Sequence, residues 1–230
     1  MRTSLVRARH AARGKRVKKG GRYDVSMLPE AQFEAGSRRR VLRNLLGIRT
    51  VREMNVVETR ALQSAMDLFN RRFDADHRFT AEDICGMHRM WLEGIYEWAG
   101  EYRSVNVSKD GFPFAAAGRI PALMANYQRD VLARHTPCRF SDRSQVVEAL
   151  AEVHVEFLLI HPFRDGNGRV ARALATLMAA QAGLPQLDFT PVTGKRRPQY
   201  FAAVQAGMDR NYRPMEQIFA ALIERSLAAS

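Results

Sequence analysis

Twelve consecutive residues, His161-Pro-Phe-Arg-Asp-Gly-Asn-Gly-Arg-Val-Ala-Arg172, bring together an imidazole, a carboxylate, two glycines and three arginines. Glycines at 166 and 168 free the backbone to turn successive N–H groups into one concavity at a helix start, where the dipole also favours negative charge. Arg169 and Arg172, three apart, share a face of the first helical turn and can clamp phosphate oxygens in bidentate fashion. Asp165 beside this cradle is placed for a magnesium ion, which prefers one carboxylate together with substrate phosphates and water. His161, ahead of the turn, is a general base with an ordinary pKa of about 6.5, suited to taking a hydroxyl proton. The combination points to phosphoryl or nucleotidyl transfer. Asp-Gly-Asn-Gly is also ordinary turn chemistry, and a histidine at a helix end is commonly structural, so the inference rests on the coincidence of all the parts. Gly166-Asn-Gly168-Arg-Val-Ala171 also fits a dinucleotide fingerprint, with Asp188 downstream. That pattern needs a preceding strand, whereas residues 144 to 160 carry a long helical stripe.

The elements that must hold these groups read as an all-α fold. Apolar residues from about residue 38 recur at helical spacing, with helices predicted near 51 to 70, 81 to 97, 119 to 134 and from Ser144 to 160. Another runs from the glycine turn to Gly183, and two more cover 197 to 209 and 213 to 227. Thr50 with Glu53 and Thr80 with Asp83 have the spacing of capping boxes. The fourth helix carries Val147, Leu150, Val153, His154, Phe157 and Leu158 on its stripe and stops at His161-Pro162. One segment breaks the period: residues 104 to 114 alternate about Asp110-Gly111, a hairpin signal. Its two readings are a surface loop and an exposed backbone edge that an extended peptide can join.

The chain has 230 residues and a formal charge of +12, but residues 1 to 22 hold nine Lys/Arg and no acid. Basicity therefore belongs to a tail, too poor in large apolar residues to fold. Residues 1–37 are expected to be a disordered basic extension, with Met27 an alternative start, and 38–230 a single domain. The tail gives only a weak case for nucleic acid. Cys85 and Cys138 lack the spacing of a zinc site or a disulfide framework. No apolar run reaches the roughly 18 residues of a membrane span and the start lacks a signal h-region, so a soluble, cytoplasmic protein is expected, with no membrane partner.

The stretch 161–172 meets every fixed position of H-x-F-x-(D/E)-G-N-G-R-x-x-R, the signature of Fic-domain proteins, which the chain therefore resembles. The likeness extends to GIYEWAGEYR at 94–103, which is similar to the segment before the Fic flap. It extends also to 104–114 as the flap, and to VLRNLLGI at 41–48, covering about residues 38 to 225. The resemblance implies a Fic fold, a bundle of about eight helices with a short hairpin flap. It implies ATP and Mg2+ as cofactors and transfer of AMP to a Ser, Thr or Tyr hydroxyl of a target protein. In that scheme His161 deprotonates the hydroxyl, Phe163 anchors the loop and Asp165 holds magnesium. Gly166, Asn167 and Gly168 form the anion hole, with Asn167 on the α-phosphate, while Arg169 and Arg172 take the β- and γ-phosphates. The flap, Val105, Asn106, Val107, Ser108, Lys109, Asp110, Gly111 and Phe112, aligns the target.

Gly168 stands where death-on-curing relatives carry Lys, which argues against their kinase-like chemistry; uridylyl or phosphocholine transfer stays open. Many relatives restrain themselves with (S/T)-x-x-x-E-(G/N), whose Glu pairs with the second motif arginine. Ser26 to Glu30 and Ser144 to Glu148 match only its first half, each followed by alanine. The resemblance thus points to a toxin restrained by a separate small antitoxin. A homodimer remains open, and a non-catalytic nucleic-acid-associated protein is the rival class.

Overall fold

Capping chemistry begins the first two long helices where the threonines predict. The computed structural model describes residues 28–193 and 197–229. In α1 (Val51–Arg72) the Thr50 side chain accepts from the Glu53 amide, and in α2 (Ala81–Leu92) Thr80 and Asp83 form a reciprocal capping box. α3 starts as Ile120–Tyr127, passes through a π-helical turn over Gln128–Leu132 and closes with Ala133–His135. α4 (Arg143–Ile160), α5 (Asn167–Gln181), the short α6 (Thr190–Thr193), α7 (Arg197–Ala206) and α8 (Arg213–Leu227) follow. The expected all-α fold with a small hairpin is what forms.

α4 is the axis of the bundle. Leu150, Ala151, Val153, Val155 and Phe157 on it are almost wholly buried, so its apolar surface runs beyond the single stripe, and it packs against α3, α5, α7 and α8. A helix apolar all round belongs in a core. α2 stops at Leu92, short of the expected 97, because the chain turns through Glu93 and Gly94. That turn sends Ile95, Tyr96 and Trp98 inward.

The predicted hairpin is present but brief. β1 (Ser108–Lys109) pairs antiparallel with β2 (Phe112–Pro113), Ser108 opposite Pro113 and Lys109 opposite Phe112. Asp110 and Gly111 both take positive φ, 51° and 82°, the type I′ geometry that matches strand twist. Ordered packing begins before the boundary expected at residue 38. Glu30 is buried and accepts from the Ser104 amide at 2.8 Å, and its carbonyl accepts from Arg164 Nε at 2.8 Å. Phe33 and Leu42 form an isolated antiparallel bridge. Residues 28–37 are thus bonded into the domain by local turns and one buried acid, neither of which raises apolar periodicity. The tail charges and Met27 lie outside the described residues.

α4 also meets the turn after α7 closely: a Cβ on Gly207 would sit 2.1 Å from Val155 Cγ1. Gly207→Ala is expected to destabilise by about 1–3 kcal/mol through overpacking, read as a lower denaturation midpoint; an unchanged midpoint would contradict this packing.

Candidate active site

The site forms where α4 ends against the start of α5. His161 closes α4 in the left-handed region, φ 52° and ψ 59°, its amide donating to Phe157 O at 2.9 Å. That conformation is unusual for a non-glycine residue and persists only when its surroundings enforce it. Its Nδ1 lies 3.2 Å from Leu158 O. A carbonyl only accepts, so Nδ1 carries the proton and Nε2 keeps its lone pair. The ring stacks on Phe114 with centroids 3.7 Å apart. Burial pushes the His161 pKa down to about 4, against the weaker opposing pull of the Leu158 bond. The ordinary value near 6.5 read from the sequence is therefore corrected, and the imidazole is neutral well below pH 7.

Between the helices, Phe163 is fully buried and stacks on His88 with centroids 3.9 Å apart. His88 Nδ1 accepts from the Gly100 amide at 2.8 Å, which leaves Nε2–H to donate to Asp165 O at 3.2 Å. Asn167 is 1% exposed and bridges the Phe163 backbone: its Oδ1 accepts from Phe163 N at 2.9 Å and its Nδ2 donates to Phe163 O at 2.8 Å. The Asn167 side chain thus staples the loop, which leaves its backbone amide to face the cleft. Gly166 has φ +85°, and a Cβ there would lie 2.7 Å from the Trp91 ring. Only glycine meets both demands. At Gly168, which is ordinary helix, the nearest atom to such a Cβ is Arg172 Nη1 at 3.4 Å, so its conformational freedom is not what the turn uses.

The amide ledger at this helix mouth is specific. Gly166 N donates to Asp165 Oδ1 at 2.6 Å, and the amides of Arg169 and Val170 donate to Gly166 O at 2.9 and 3.0 Å. The amides of Asn167 and Gly168 have no acceptor among the described residues. Two free donors at the positive end of a fifteen-residue helix make an anion site.

Each motif arginine is held by groups the sequence reading missed. Arg169 Nη1 donates to Glu58 Oε2 at 2.6 Å and the guanidinium lies 4.5 Å over Trp91. Glu58 Oε1 accepts from the Tyr96 hydroxyl at 2.7 Å. Arg172 bonds to the Tyr200 hydroxyl, which in turn contacts His154 Nε2. His154 Nδ1 lies 3.3 Å from Ala171 O, so it donates there, Nε2 accepts from Tyr200, and the tyrosine oxygen remains to receive Arg172. Burial lowers His154 to about 3 and raises Tyr200 to about 12, so this relay is neutral except for the arginine. The available signal was a carboxylate and an imidazole on buried helix stripes, Glu58 between Met54 and Ala65 on α1 and His154 on α4.

These groups line one open cleft of about 490 Å³. His161, Asp165 to Arg169 and Arg172 form its floor, Tyr200 and Phe201 one wall, and Val107, Ser108, Lys109 and Phe114 the flap side. Within the expected flap set, Val105 is buried beneath the hairpin, Asn106 Oδ1 accepts from Ala117 N at 2.9 Å, and Asp110 and Gly111 form the turn. Phe112 packs edge-on against Phe201, centroids 5.9 Å apart, over which Lys109 Nζ also lies at 5.4 Å.

An all-helical bundle whose glycine turn offers free amides beside a neutral histidine and two arginines frames a cleft suited to an anion. Residues 78–179 match the Fic/DOC family model. It is 28% identical over 211 residues to protein adenylyltransferase VbhT of Bartonella schoenbuchensis, covering 90% of this chain and 40% of that protein. It is 26% identical over 171 residues to protein adenylyltransferase Fic of Drosophila melanogaster, covering 74% of this chain and 33% of that one. The chain thus spans less than half the length of these relatives. Among solved structures, BepC of Bartonella tribocorum with bound AMPPNP superposes with a TM-score of 0.67 at 20% identity, covering 85% of this chain and 97% of that one. A Fic domain from Bartonella quintana with bound ADP gives 0.66 at 23% identity, covering 83% and 92%.

His88, His154 and His161 are all neutral in the fold, with pKa values near 4, 3 and 4. Unfolded, each protonates below about pH 6.5, so stability is full above that pH and falls as pH drops toward 4. Chemical denaturation at pH 7.5, 6.5 and 5.5 is expected to show a plateau and then a decline of up to about 1.4 kcal/mol per pH unit per histidine; a flat profile would contradict the burial of these rings.

Proposed function

We propose that the protein is a protein adenylyltransferase that moves AMP from ATP to a Ser, Thr or Tyr hydroxyl of a target protein. The observation that carries this is the juxtaposition of an imidazole with a free Nε2 and two unpartnered helix-start amides in one cleft. The names of VbhT and the Drosophila protein support the choice of AMP, as do the nucleotides in the two Bartonella structures. In the proposed reaction the target oxygen attacks the α-phosphorus of ATP and its proton passes to His161 Nε2. The new oxygen–phosphorus bond replaces the α–β bridge, and pyrophosphate leaves. The Asn167 and Gly168 amides face the charge on the transferred group, and Arg169 and Arg172 take the departing phosphates. Catalysis is then positioning and charge stabilisation in a preset site. Anionic phosphates next to His161 favour its protonated form, which counters the effect of burial as the proton arrives.

Asp165 offers a half-exposed carboxylate beside the free amides. That single donor fits magnesium, which takes few protein ligands and completes its shell with phosphates and water. Bound there with the nucleotide, the ion neutralises phosphate charge. The flap is proposed to align the target: β1 borders the cleft and presents its outer edge as a strand partner. We further propose a cytoplasmic site of action and restraint by a separate antitoxin chain. In support, Glu30 of the first half-matching segment is spent on Ser104, and Glu148 of the second is exposed on α4.

With ATP labelled at the α-phosphorus, magnesium and a cell lysate, wild type should label protein and His161→Ala should lose roughly 100- to 10,000-fold of that rate. ATP labelled at the γ-phosphorus should leave protein unlabelled. Label from the γ position, or undiminished α-labelling by the variant, would overturn the assignment. Tyr200→Phe, which frees Arg172 from His154, is expected to weaken ATP binding several-fold and AMP binding little, as read by calorimetry. Equal losses for both nucleotides would contradict the placing of Arg172 on the outer phosphates.

A further inference from the structure

Arg103 is 2% exposed, and its guanidinium makes no ion pair with a carboxylate among the described residues. It donates instead to backbone carbonyls alone. Nε reaches His161 O at 2.8 Å, Nη1 reaches Val105 O at 2.7 Å, and Nη2 reaches Ala115 O at 2.6 Å and Ile160 O at 3.4 Å. The Arg103 amide adds a bond to Pro162 O at 2.8 Å. Burying a charge this way is costly unless the acceptors are strong, and here two of them are orphan carbonyls at the negative end of α4. The other two stand at the two feet of the flap, one before β1 and one after β2.

The flap needs such an outside hold. Its ladder has two residues per strand, and an isolated hairpin of that size is marginal in water. Phe114 N also bonds Val107 O at 3.2 Å, and the Phe114 ring lies on His161. The same arginine thus fixes the carbonyl of His161, held in a left-handed conformation, and the segments that lead into and out of the hairpin, whose β1 borders the cleft. No other side chain has this fork: lysine has a single head and cannot span four carbonyls on three segments.

We propose that Arg103 is a positioning residue that sets the flap and His161 in one register, and so decides where an acceptor hydroxyl aligned by the flap meets Nε2. The inference rests on the transferase reading for its acceptor, but not on which phosphate is transferred. Arg103 bonds the His161 carbonyl but none of Asp165 to Arg169 or Arg172, so nucleotide binding and target modification should separate.

Arg103→Lys and Arg103→Gln are measured for ATP affinity by calorimetry and for steady-state modification of a protein target. The expected result is ATP affinity within about twofold of wild type, and kcat/KM for the target reduced by about 10- to 100-fold, since a displacement near 1 Å costs that much. Wild-type kcat/KM with either variant, or parallel losses of ATP affinity and target modification, would overturn the proposal. Should neither variant fold, hydrogen exchange on the wild-type chain decides. The Arg103, Phe114 and His161 amides are expected to exchange through one opening with a common dependence on denaturant; Phe114 exchanging independently and far faster would overturn it. His161→Ala run beside them identifies failure of the transferase reading separately: if wild type and His161→Ala are equally inactive, the exchange data still test the register.

Discussion

The site depends on one constraint, that the chain must reverse between two packed helices without a side chain at the reversal. Gly166 faces the Trp91 ring closely enough that a Cβ would fall 2.7 Å from it, with φ at +85°. Because the turn is that tight, α5 starts immediately and points its first amides at the cleft, with His161 held across from them. The neighbouring groups enforce this reversal. Asn167 staples Phe163, Phe163 stacks on His88, and His88 holds the Asp165 carbonyl.

Around that turn the charges are arranged in pairs of motif residue and support. Arg169 is balanced by a buried Glu58, which is itself bonded to Tyr96, so removing the acid would strand a cation at a cost of several kcal/mol. Arg172 is tethered by a neutral relay and keeps its full charge for the cleft. The two arginines therefore differ: one is partly neutralised and stacked, the other is half-buried and uncompensated. Arg103 completes the set as a third guanidinium, fully buried where the other two are part-exposed and bound only to carbonyls, that joins the flap to the base.

Much of this was legible in the chain. The threonine caps, the apolar stripe ending at His161-Pro162 and the Asp-Gly hairpin are local signals, and local geometry follows from them. The twelve-residue motif likewise gave the identity of the cleft floor. What stayed hidden depends on contacts far apart in sequence. Glu58 lies 111 residues from Arg169, and Tyr200 is 46 from His154; no periodicity links such partners. The pKa of His161 was misjudged for the same reason, since Phe114 and the flap that cover the ring are brought to it only by folding. That the Asn167 side chain is spent on the Phe163 backbone was equally hidden, since a buried side-chain amide is satisfied by whatever backbone folding brings beside it. The packing of residues 28–37 was likewise invisible, because a single buried acid and a few turn bonds leave no pattern.

The central claim is that the mouth of α5 grips phosphates through its two free amides. Amide chemical shifts followed during titration with ATP and magnesium test it most directly. The account predicts that Asn167 and Gly168 move most, saturating together with His161 Nε2. Shifts centred elsewhere, or those two amides remaining still while ATP binds, would contradict it.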